Sequence, residues 1–355
     1  MKRILPFVFV VGCGAWVYAC SSDSGSGTDT NPPDGGGADS NVNNDGSDQD
    51  GGLDGTTNPD GPASNTNPIE GATAAEVLGA PLGFTDGPQW RGTSLYFSDY
   101  PNKVIVKLTP PNTTDPARNT VQSPLGTTFD TKNNTFVTVE SEVSATPTSL
   151  LVRWDGGTSA NVATTFDGGV PWESPNDVVV RASDGTMYVT DPGYQKEQGG
   201  GTLTANHLYR VLPNGIVLTE ATYPNITRPN GIALSPTGTT LYVGFTVPDV
   251  GATNPIIMKY TVNSDGSLGA SSKFVDVTPA DSSPDGIAVD DNGNVFVAVK
   301  TGVQVYQPSG MSWGKIPVAK QPSNIGFGGA DRMTLYITTE TGVYSARVKV
   351  PGIQQ

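Results

Sequence analysis

Short runs of alternating apolar and polar residues, separated by glycine-rich turns, recur along most of the chain. Six of these runs carry Tyr or Phe at the second position, as in Leu95-Tyr96-Phe97, and the aromatic residues lie 40, 52, 54, 54 and 40 residues apart. Alternation with a period of two predicts β-strands. The runs cover residues 95–99, 135–138, 187–191, 241–243, 295–298 and 335–338.

Each aromatic run is preceded by a short apolar segment, such as residues 231–234, and followed by another alternating one, such as residues 303–306. One repeat therefore contains three or four strands and has the length of a propeller blade. The pattern predicts an all-β, six-bladed β-propeller that occupies residues 71–355 as one domain.

A ring of blades has to close, and residues 74–78 precede the first blade without a sheet of their own. We predict that this segment forms the outermost strand of the last blade, whose other strands come from residues 324–348. The alternative is that the segment is the frayed end of a linker.

The N-terminus has the pattern of an export signal. Lys2 and Arg3 precede an apolar run that is too short to span a bilayer comfortably. The run ends in Val17-Tyr18-Ala19-Cys20, which resembles the lipobox of bacterial lipoproteins. This resemblance implies that residues 1–19 are a signal peptide and that Cys20 is lipidated. The protein would be anchored at the outer membrane or cell surface, with a periplasm-facing location as an alternative. A plain secretory signal that leaves Cys20 as a free thiol is the other interpretation.

Composition divides the remaining chain at about residue 70. Residues 21–70 hold ten of the 34 acidic side chains and no Lys or Arg, whereas residues 71–355 carry 24 acidic and 18 basic side chains. The first segment has too few apolar residues to offset chain entropy, so residues 20–70 are predicted to be a disordered linker. Because no strongly basic region is present, we expect no nucleic-acid partner, and membrane contact only through the N-terminal lipid.

The residue just before each predicted innermost strand is Asp or Asn in five of six blades. In a propeller this position faces the central channel, so oxygen atoms from distant segments approach one axis. Carboxylate and amide oxygens without His or Cys favour Ca²⁺ or Mg²⁺, and two carboxylates would neutralise one divalent ion. The alternative is that Asp and Asn before Gly only cap turns. The six residues are Asp86, Leu125, Asn176, Asn230, Asp285 and Asn324.

These motifs resemble the SMP-30/gluconolactonase/luciferin-regenerating family of six-bladed propellers. The similarity extends from about Gly83 to Val348, and successive motifs lie one blade apart, except that the first two are separated by two blades. The motifs are Asp-Gly-Pro at 86–88, Ser-Pro-Asn-Asp at 174–177, Pro-Asn-Gly at 229–231, Pro-Asp-Gly at 284–286 and Asn-Ile-Gly-Phe-Gly-Gly at 324–329. The resemblance implies a hydrolase of lactones or related esters that binds one divalent cation. Ca²⁺ is the first choice, with Zn²⁺, Mg²⁺ or Mn²⁺ as alternatives.

The resemblance also implies roles for individual residues. It makes Asp86, Asn230 and Asp285 metal ligands, Asn176 a metal ligand or substrate contact, and Asp285 the general base as well. Asp86 is a departure, because the family usually has Glu there, one methylene longer. Leu125 stands where many relatives have Asn.

Other candidate residues keep two interpretations. Trp172 and Asn324 are candidate substrate contacts, although packing between blades is an alternative for the Trp ring. The sole histidine, His207, is expected at an exposed blade position and is not assigned as a base. Long inserts at 140–147 and 195–205 either set specificity beside the channel mouth or decorate the surface. The alternative function is a non-catalytic propeller that binds a sugar, peptide or envelope protein and holds a structural cation.

Overall fold

The structure is a computed structural model and describes residues 65–119, 121–146, 148–166, 169–224, 227–246, 254–278 and 281–353. Strand β1 spans Ala75–Leu78. The first blade contains β2 (Thr85–Arg91), β3 (Ser94–Asp99), β4 (Val104–Thr109) and β5 (Thr113–Arg118). The second contains β6 (Pro124–Asp130), β7 (Thr135–Glu140), β8 (Leu150–Trp154) and β9 (Ser159–Ala163).

A small two-stranded sheet, β10 (Thr165–Phe166) and β11 (Val170–Pro171), leads to the third blade. That blade contains β12 (Val178–Val180), β13 (Met187–Asp191), β14 (Asn206–Val211) and β15 (Val217–Tyr223), with a short helix α1 (Tyr194–Gln198) between β13 and β14. The fourth contains β16 (Pro229–Leu234), β17 (Thr240–Phe245), β18 (Ile256–Val262) and β19 (Leu268–Asp276). The fifth contains β20 (Ile287–Val289), β21 (Val295–Val299), β22 (Gly302–Tyr306) and β23 (Ser312–Pro317).

The sixth blade joins the two ends of the described chain. It has the order β1-β26-β25-β24, where β24 is Pro322–Gly328, β25 is Thr334–Thr339 and β26 is Gly342–Arg347. Ala75 pairs with Ser345 and Leu78 with Val343. The prediction that residues 74–78 supply the outermost strand of the last blade is therefore confirmed.

The first strand of each blade lies around a common channel. Strand β2 contacts β6 and β24, and the contacts continue from β6 to β12, β16, β20 and back to β24. This closed ring confirms the six-bladed propeller. A closed ring gives every blade a neighbour on both faces, which explains how one domain of this length needs no second core.

The repeated aromatic residue has a packing role between blades. Tyr188 of the third blade shares a buried cluster with Val243 of the fourth, and Phe296 of the fifth shares one with Ile337 of the sixth. The second strand of a blade thus directs its aromatic ring at the next blade. Five of the six blades repeat this contact, so the aromatic position recurs along the sequence; Phe136 of the second blade instead clusters with Ile105 of the first.

Packing of the propeller begins slightly before residue 71. Ile69, inside the predicted linker, is buried in the cluster formed by the last two blades. The backbone N–H of Lys349 donates to the Pro68 carbonyl over 2.8 Å. A single large apolar residue at the end of a polar segment thus extends the domain.

The predicted signal peptide, Cys20 and nearly all of the linker lie outside the described residues. In the part of the chain that the structure describes, no helix is long and apolar enough to cross a membrane.

Candidate functional site

The residues predicted to face the channel lie where the innermost strands begin, and we call this end of the channel the mouth. Register shifts interrupt the pairing at the start of four innermost strands, for example between Asp86 and Gln89 and between Pro229 and Ile232. A bulge of this kind redirects a side chain.

Glycines bring the residues of successive blades together at the mouth. A Cβ atom on Gly231 would lie 1.9 Å from the Asp285 carbonyl oxygen, and one on Gly286 would lie 2.0 Å from Asn324 Oδ1. No other residue fits such close approaches without a backbone shift. The Gly that follows a channel residue therefore makes room for the channel residue of the next blade, and turn capping alone does not account for this arrangement.

Side-chain hydrogen bonds connect four blades across the mouth. The Asn324 side chain donates to the carboxyl groups of Asp86 and Asp177. Asp86 also accepts the Gly87 N–H over 2.8 Å, and Asp177 accepts the N–H of Ile232 in the fourth blade over 3.3 Å. Residues of the first, third and sixth blades thus meet at one point.

Asp285 lies beside this group and is paired with a neighbour in the fourth blade. The Asn230 side chain donates a hydrogen bond to the Asp285 carboxyl. Asn230 is buried, whereas Asp285 is partly exposed. Asn176, also buried, occupies the position next to Asp177, and its N–H donates to the Thr190 carbonyl over 2.8 Å. Four of the residues assigned from the sequence therefore have their carboxyl or amide groups at the mouth or directly beside it. They are Asp86, Asn230, Asp285 and Asn324.

Three carboxyl groups at the mouth repel one another and are removed from water. Burial raises the pKa of Asp86 to about 6. Burial and the negative charge of Asp86 raise the pKa of Asp177 to about 8. Burial raises the pKa of Asp285 well above its ordinary value, and the charges of Asp86 and Asp177 add to this effect. Either protons or a cation would relieve the repulsion.

The stability of the metal-free protein is expected to fall as the pH rises from 5.5 to 8. These carboxyl groups bind protons more tightly in the folded chain than in the unfolded chain, where Asp has a pKa of about 3.9. Each extra proton held by the folded state changes the unfolding free energy by about 1.4 kcal/mol per pH unit. Melting temperatures recorded after metal removal should therefore be highest near pH 5.5.

Two substitutions test the origin of this pH effect. Asp177→Asn should flatten the slope, because it removes a carboxyl group whose pKa is raised. Asp331→Asn should leave the slope unchanged, since hydrogen bonding by Arg347 lowers the pKa of that exposed Asp to about 2 and it is ionised throughout the range. A melting temperature that rises with pH would contradict the assignment.

The donor set at the mouth fits a hard divalent cation. Asn230 Oδ1 is buried and accepts no hydrogen bond from any described residue, and an unpaired buried oxygen of this kind is costly unless a ligand reaches it. Among the described residues no three His, Cys, Asp or Glu side chains are arranged to hold a metal. A cation here would accordingly depend on amide oxygens of Asn176 and Asn230 in addition to the carboxylates of Asp86 and Asp285.

From its place in the motif at 174–177, Asp177 is expected only to hydrogen-bond neighbouring loops. The structure places it within the mouth as well, because Gly126 of the second blade leaves room for it: a Cβ atom there would lie 2.2 Å from Asp177 Oδ1. The sequence feature that could have assigned Asp177 to the mouth is its position directly after Asn176. In this blade the channel position holds an amide, and the carboxyl group follows it.

Trp172 is buried between the second and third blades. It is 1% exposed, and its ring packs edge-on against Tyr209, 5.0 Å between centroids, in the cluster between the second and third blades. The structure thus favours packing over substrate contact for this residue. His207 is buried and stacked on Tyr209, so its predicted exposure was wrong. The pairing of β14 with strands on both sides places it inside the sheet.

The two long inserts pack against each other. A Cβ atom on Gly199, just after α1, would lie 2.3 Å from the backbone of Ser144 in the second-blade insert. The helix is further held by the hydrogen bond between Tyr194 and Thr246 of the fourth blade, 2.5 Å long, and by an ion pair between Lys196 and Glu173. Because β13 and β16 border this region at the mouth, both interpretations of the inserts stay open.

Comparison with known proteins agrees with this geometry. A gluconolactonase of Zymomonas mobilis is 29% identical over 312 residues, which cover 80% of this chain and 84% of the relative. The solved structure of a gluconolactonase from Xanthomonas campestris is 25% identical, with a TM-score of 0.67 and coverage of 80% of this chain and 92% of the other.

The calcium-binding protein regucalcin of Agrobacterium tumefaciens is 17% identical with a TM-score of 0.60, and covers 79% of this chain and 97% of its own length. At this identity the likeness concerns the fold alone. The family described as the SMP-30/Gluconolactonase/LRE-like region matches residues 84–341. Because this match spans well over half of the chain and confirms the resemblance seen in the motifs, the chain belongs to the SMP-30/gluconolactonase/LRE-like family.

Proposed function

We propose that this protein is a divalent-metal-dependent hydrolase of lactones or related esters. The observation that carries the proposal is the convergence of Asp86, Asp285 and the unpaired Asn230 Oδ1 at one end of the channel. The gluconolactonase relatives support a lactone as the substrate class. The carboxylate and amide oxygens at the mouth support Ca²⁺ as the first cation to test.

Each residue has a distinct role in this proposal. Asp86, Asn176, Asn230 and Asp285 would hold the cation, which when bound would supply Lewis-acid chemistry toward the lactone carbonyl and water. Asp285 is partly exposed and accepts a proton from the attacking water as general base. Its raised pKa, which burial and its carboxylate neighbours cause, suits a group that has to accept a proton near neutral pH.

Asn324 supports the site from one side. It donates to Asp86 and Asp177, which fixes the carboxyl group of Asp86 relative to the channel axis. Its own Oδ1 accepts the Ile325 N–H over 2.8 Å, so its side chain is held in one orientation. We infer that Asn324 positions Asp86, in addition to its predicted role as a substrate contact.

We also propose that the protein is exported and lipid-anchored through Cys20 at the outer membrane or cell surface. The sequence motif at 17–20 supports this location. Metabolic labelling with a palmitate analogue, compared between the protein and Cys20→Ser, tests it, and labelling that persists in the variant would contradict it.

Metal removal is expected to abolish lactone hydrolysis reversibly. The purified protein is assayed with D-glucono-1,5-lactone and aryl esters after chelation and dialysis, and again after Ca²⁺, Zn²⁺, Mg²⁺ or Mn²⁺ is restored. Because the cation would screen two carboxylates at the mouth, its return should also raise the melting temperature at pH 8. Full turnover in the chelated protein would contradict the proposal. Metal-dependent stability without turnover on any substrate would instead support the non-catalytic propeller with a structural cation.

A further inference from the structure

A cavity of about 230 Å³ extends along the channel from Asp177 and Asn324 at the mouth toward the opposite end, and we call it the lower cavity. Thr127, Asp177 and Asn324 lie at its inner end, whereas Arg91 and Arg332 lie at its outer end, where β2 and β24 finish. At about 30 Å³ per water molecule the space would hold roughly seven waters. It therefore suits a compact organic molecule with a comparable number of non-hydrogen atoms.

The two arginines at the outer end differ in charge compensation. Arg332 forms a double contact with Asp291, with distances of 2.8 Å and 3.0 Å between guanidinium nitrogens and carboxylate oxygens. Arg91 donates to the neutral Asn134 Oδ1 over 2.7 Å and makes no ion pair with any acid in the described part of the chain. The outer end thus carries one uncompensated positive charge.

The Arg91 guanidinium is also held in place. It lies 4.6 Å from the centroid of the Phe129 ring, at a distance where a cation is attracted to an aromatic face. Its contact with Asn134 uses one of its five N–H donors. An arginine fixed in this way presents its remaining donors with little further loss of side-chain entropy when an anion binds.

Apolar side chains form part of the walls between the two ends. The C-terminal segment completes them: the Ile353 N–H donates to the Val289 carbonyl over 3.1 Å, and Gly352 packs so closely on Phe327 that a Cβ atom would lie 2.0 Å from the ring. The apolar side chains around the space include Ile287, Val289, Ile325, Phe327 and Ile353. Such walls bind hydrocarbon surface, while a single polar anchor fixes orientation.

We propose that the lower cavity binds a small monocarboxylate, with its carboxylate on the Arg91 guanidinium and its aliphatic or alicyclic body against the apolar walls. The planar guanidinium matches a carboxylate in geometry and charge. One uncompensated cation between apolar walls suits a monoanion better than a phosphate dianion, which needs more donors. The Arg91 anchor lies at the opposite end of the lower cavity from Asp177 and Asn324, which border the proposed metal site.

Isothermal titration calorimetry tests the proposal with two ligands of the same shape. Cyclohexanecarboxylate carries the charge, and cyclohexanecarboxamide is its neutral counterpart. For the metal-free protein at neutral pH we expect the acid to bind at least about tenfold more tightly than the amide. One charge-assisted hydrogen bond provides a difference in binding free energy of this size. Arg91→Gln should reduce the acid's affinity to that of the amide. Lys273→Gln removes a positive charge from the exposed outer strand of the fourth blade and should change nothing.

The outcomes separate this proposal from the proposed hydrolase. Equal binding of acid and amide to the unmodified protein would overturn it, and this comparison holds even if Arg91→Gln fails to fold. Acid binding that survives Arg91→Gln would also overturn it. The acid should bind Asp285→Asn as tightly as the unmodified protein, because that substitution lies at the mouth. Loss of binding there would assign the ligand to the mouth and refute the lower cavity, whatever the result of the lactone assay.

Discussion

Lactone turnover is expected to fall at least about a hundredfold when Asp285 is replaced by Asn, because the change removes the proposed general base and one proposed metal ligand. Asn has nearly the same shape, so the hydrogen-bonding neighbours can stay in place. The measurement is kcat with D-glucono-1,5-lactone at saturating Ca²⁺ and at several pH values. The unmodified protein should gain activity as Asp285 loses its proton, and the variant should lose this dependence.

The stability of the same variant distinguishes a chemical effect from damage to the fold. Asp285 is repelled by Asp86 and Asp177, so Asp285→Asn should leave the metal-free melting temperature at pH 8 unchanged or higher. The stabilisation by Ca²⁺ should become smaller. Asp331→Asn makes the same chemical change at an exposed turn and should retain full turnover. A kcat for Asp285→Asn within about threefold of the unmodified protein would refute the assigned role.

The sequence predicted the propeller because its signals are local and repeated. An aromatic ring at the second position of a strand packs on the next blade, as Tyr188 and Phe296 do. Each blade therefore has an aromatic residue at this position of its sequence. Ring closure followed from the absence of a partner sheet for residues 74–78. Such inferences need only the periodicity of strands and the requirement that their edges be paired.

The ring of channel residues was also accessible from the sequence, though not all of its members. Asn230 and Asp285 precede Gly, and the structure shows why that order recurs: each Gly accommodates the next blade. Asp177 was assigned only to loop contacts, because its place at the mouth depends on Gly126, about fifty residues earlier. A contact between two blades of this kind has no local signature.

Cavities and side-chain burial that depend on packing between blades could not be predicted from the sequence. The lower cavity exists because side chains from several blades leave the channel open between Arg91 and Asn324. The burial of Trp172 and His207 follows from the way in which the second and third blades meet. Neither the cavity nor the burial of these side chains is a property of one segment, so residue spacing does not predict them.

Deletion of residues 71–80 is expected to lower the melting temperature by roughly 10 °C or more. The deletion removes β1, which pairs with β26 and supplies Val77 and Leu78 to the cluster between the sixth and first blades. It also removes the ion pair of Glu76 with Lys320. Several kcal/mol of lost packing and pairing correspond to a shift of this size in a domain of this length. Differential scanning calorimetry measures it.

The control is a deletion of equal length at residues 41–50, within the predicted linker, which should leave the melting temperature unchanged. An unchanged value for the 71–80 deletion would mean that the ring closes without β1. The structure argues against this outcome. The backbone of Leu78 packs so closely on Gly342 that a Cβ atom there would lie 2.4 Å from the Leu78 carbonyl oxygen. Further along the chain, the Thr85 hydroxyl donates to the carbonyls of Thr339 and Gly342. Without β1, the edge of β26 would face solvent and these contacts would lose their support. The first and sixth blades would then separate more readily than any other pair, since removal of β1 also removes the short connection between them.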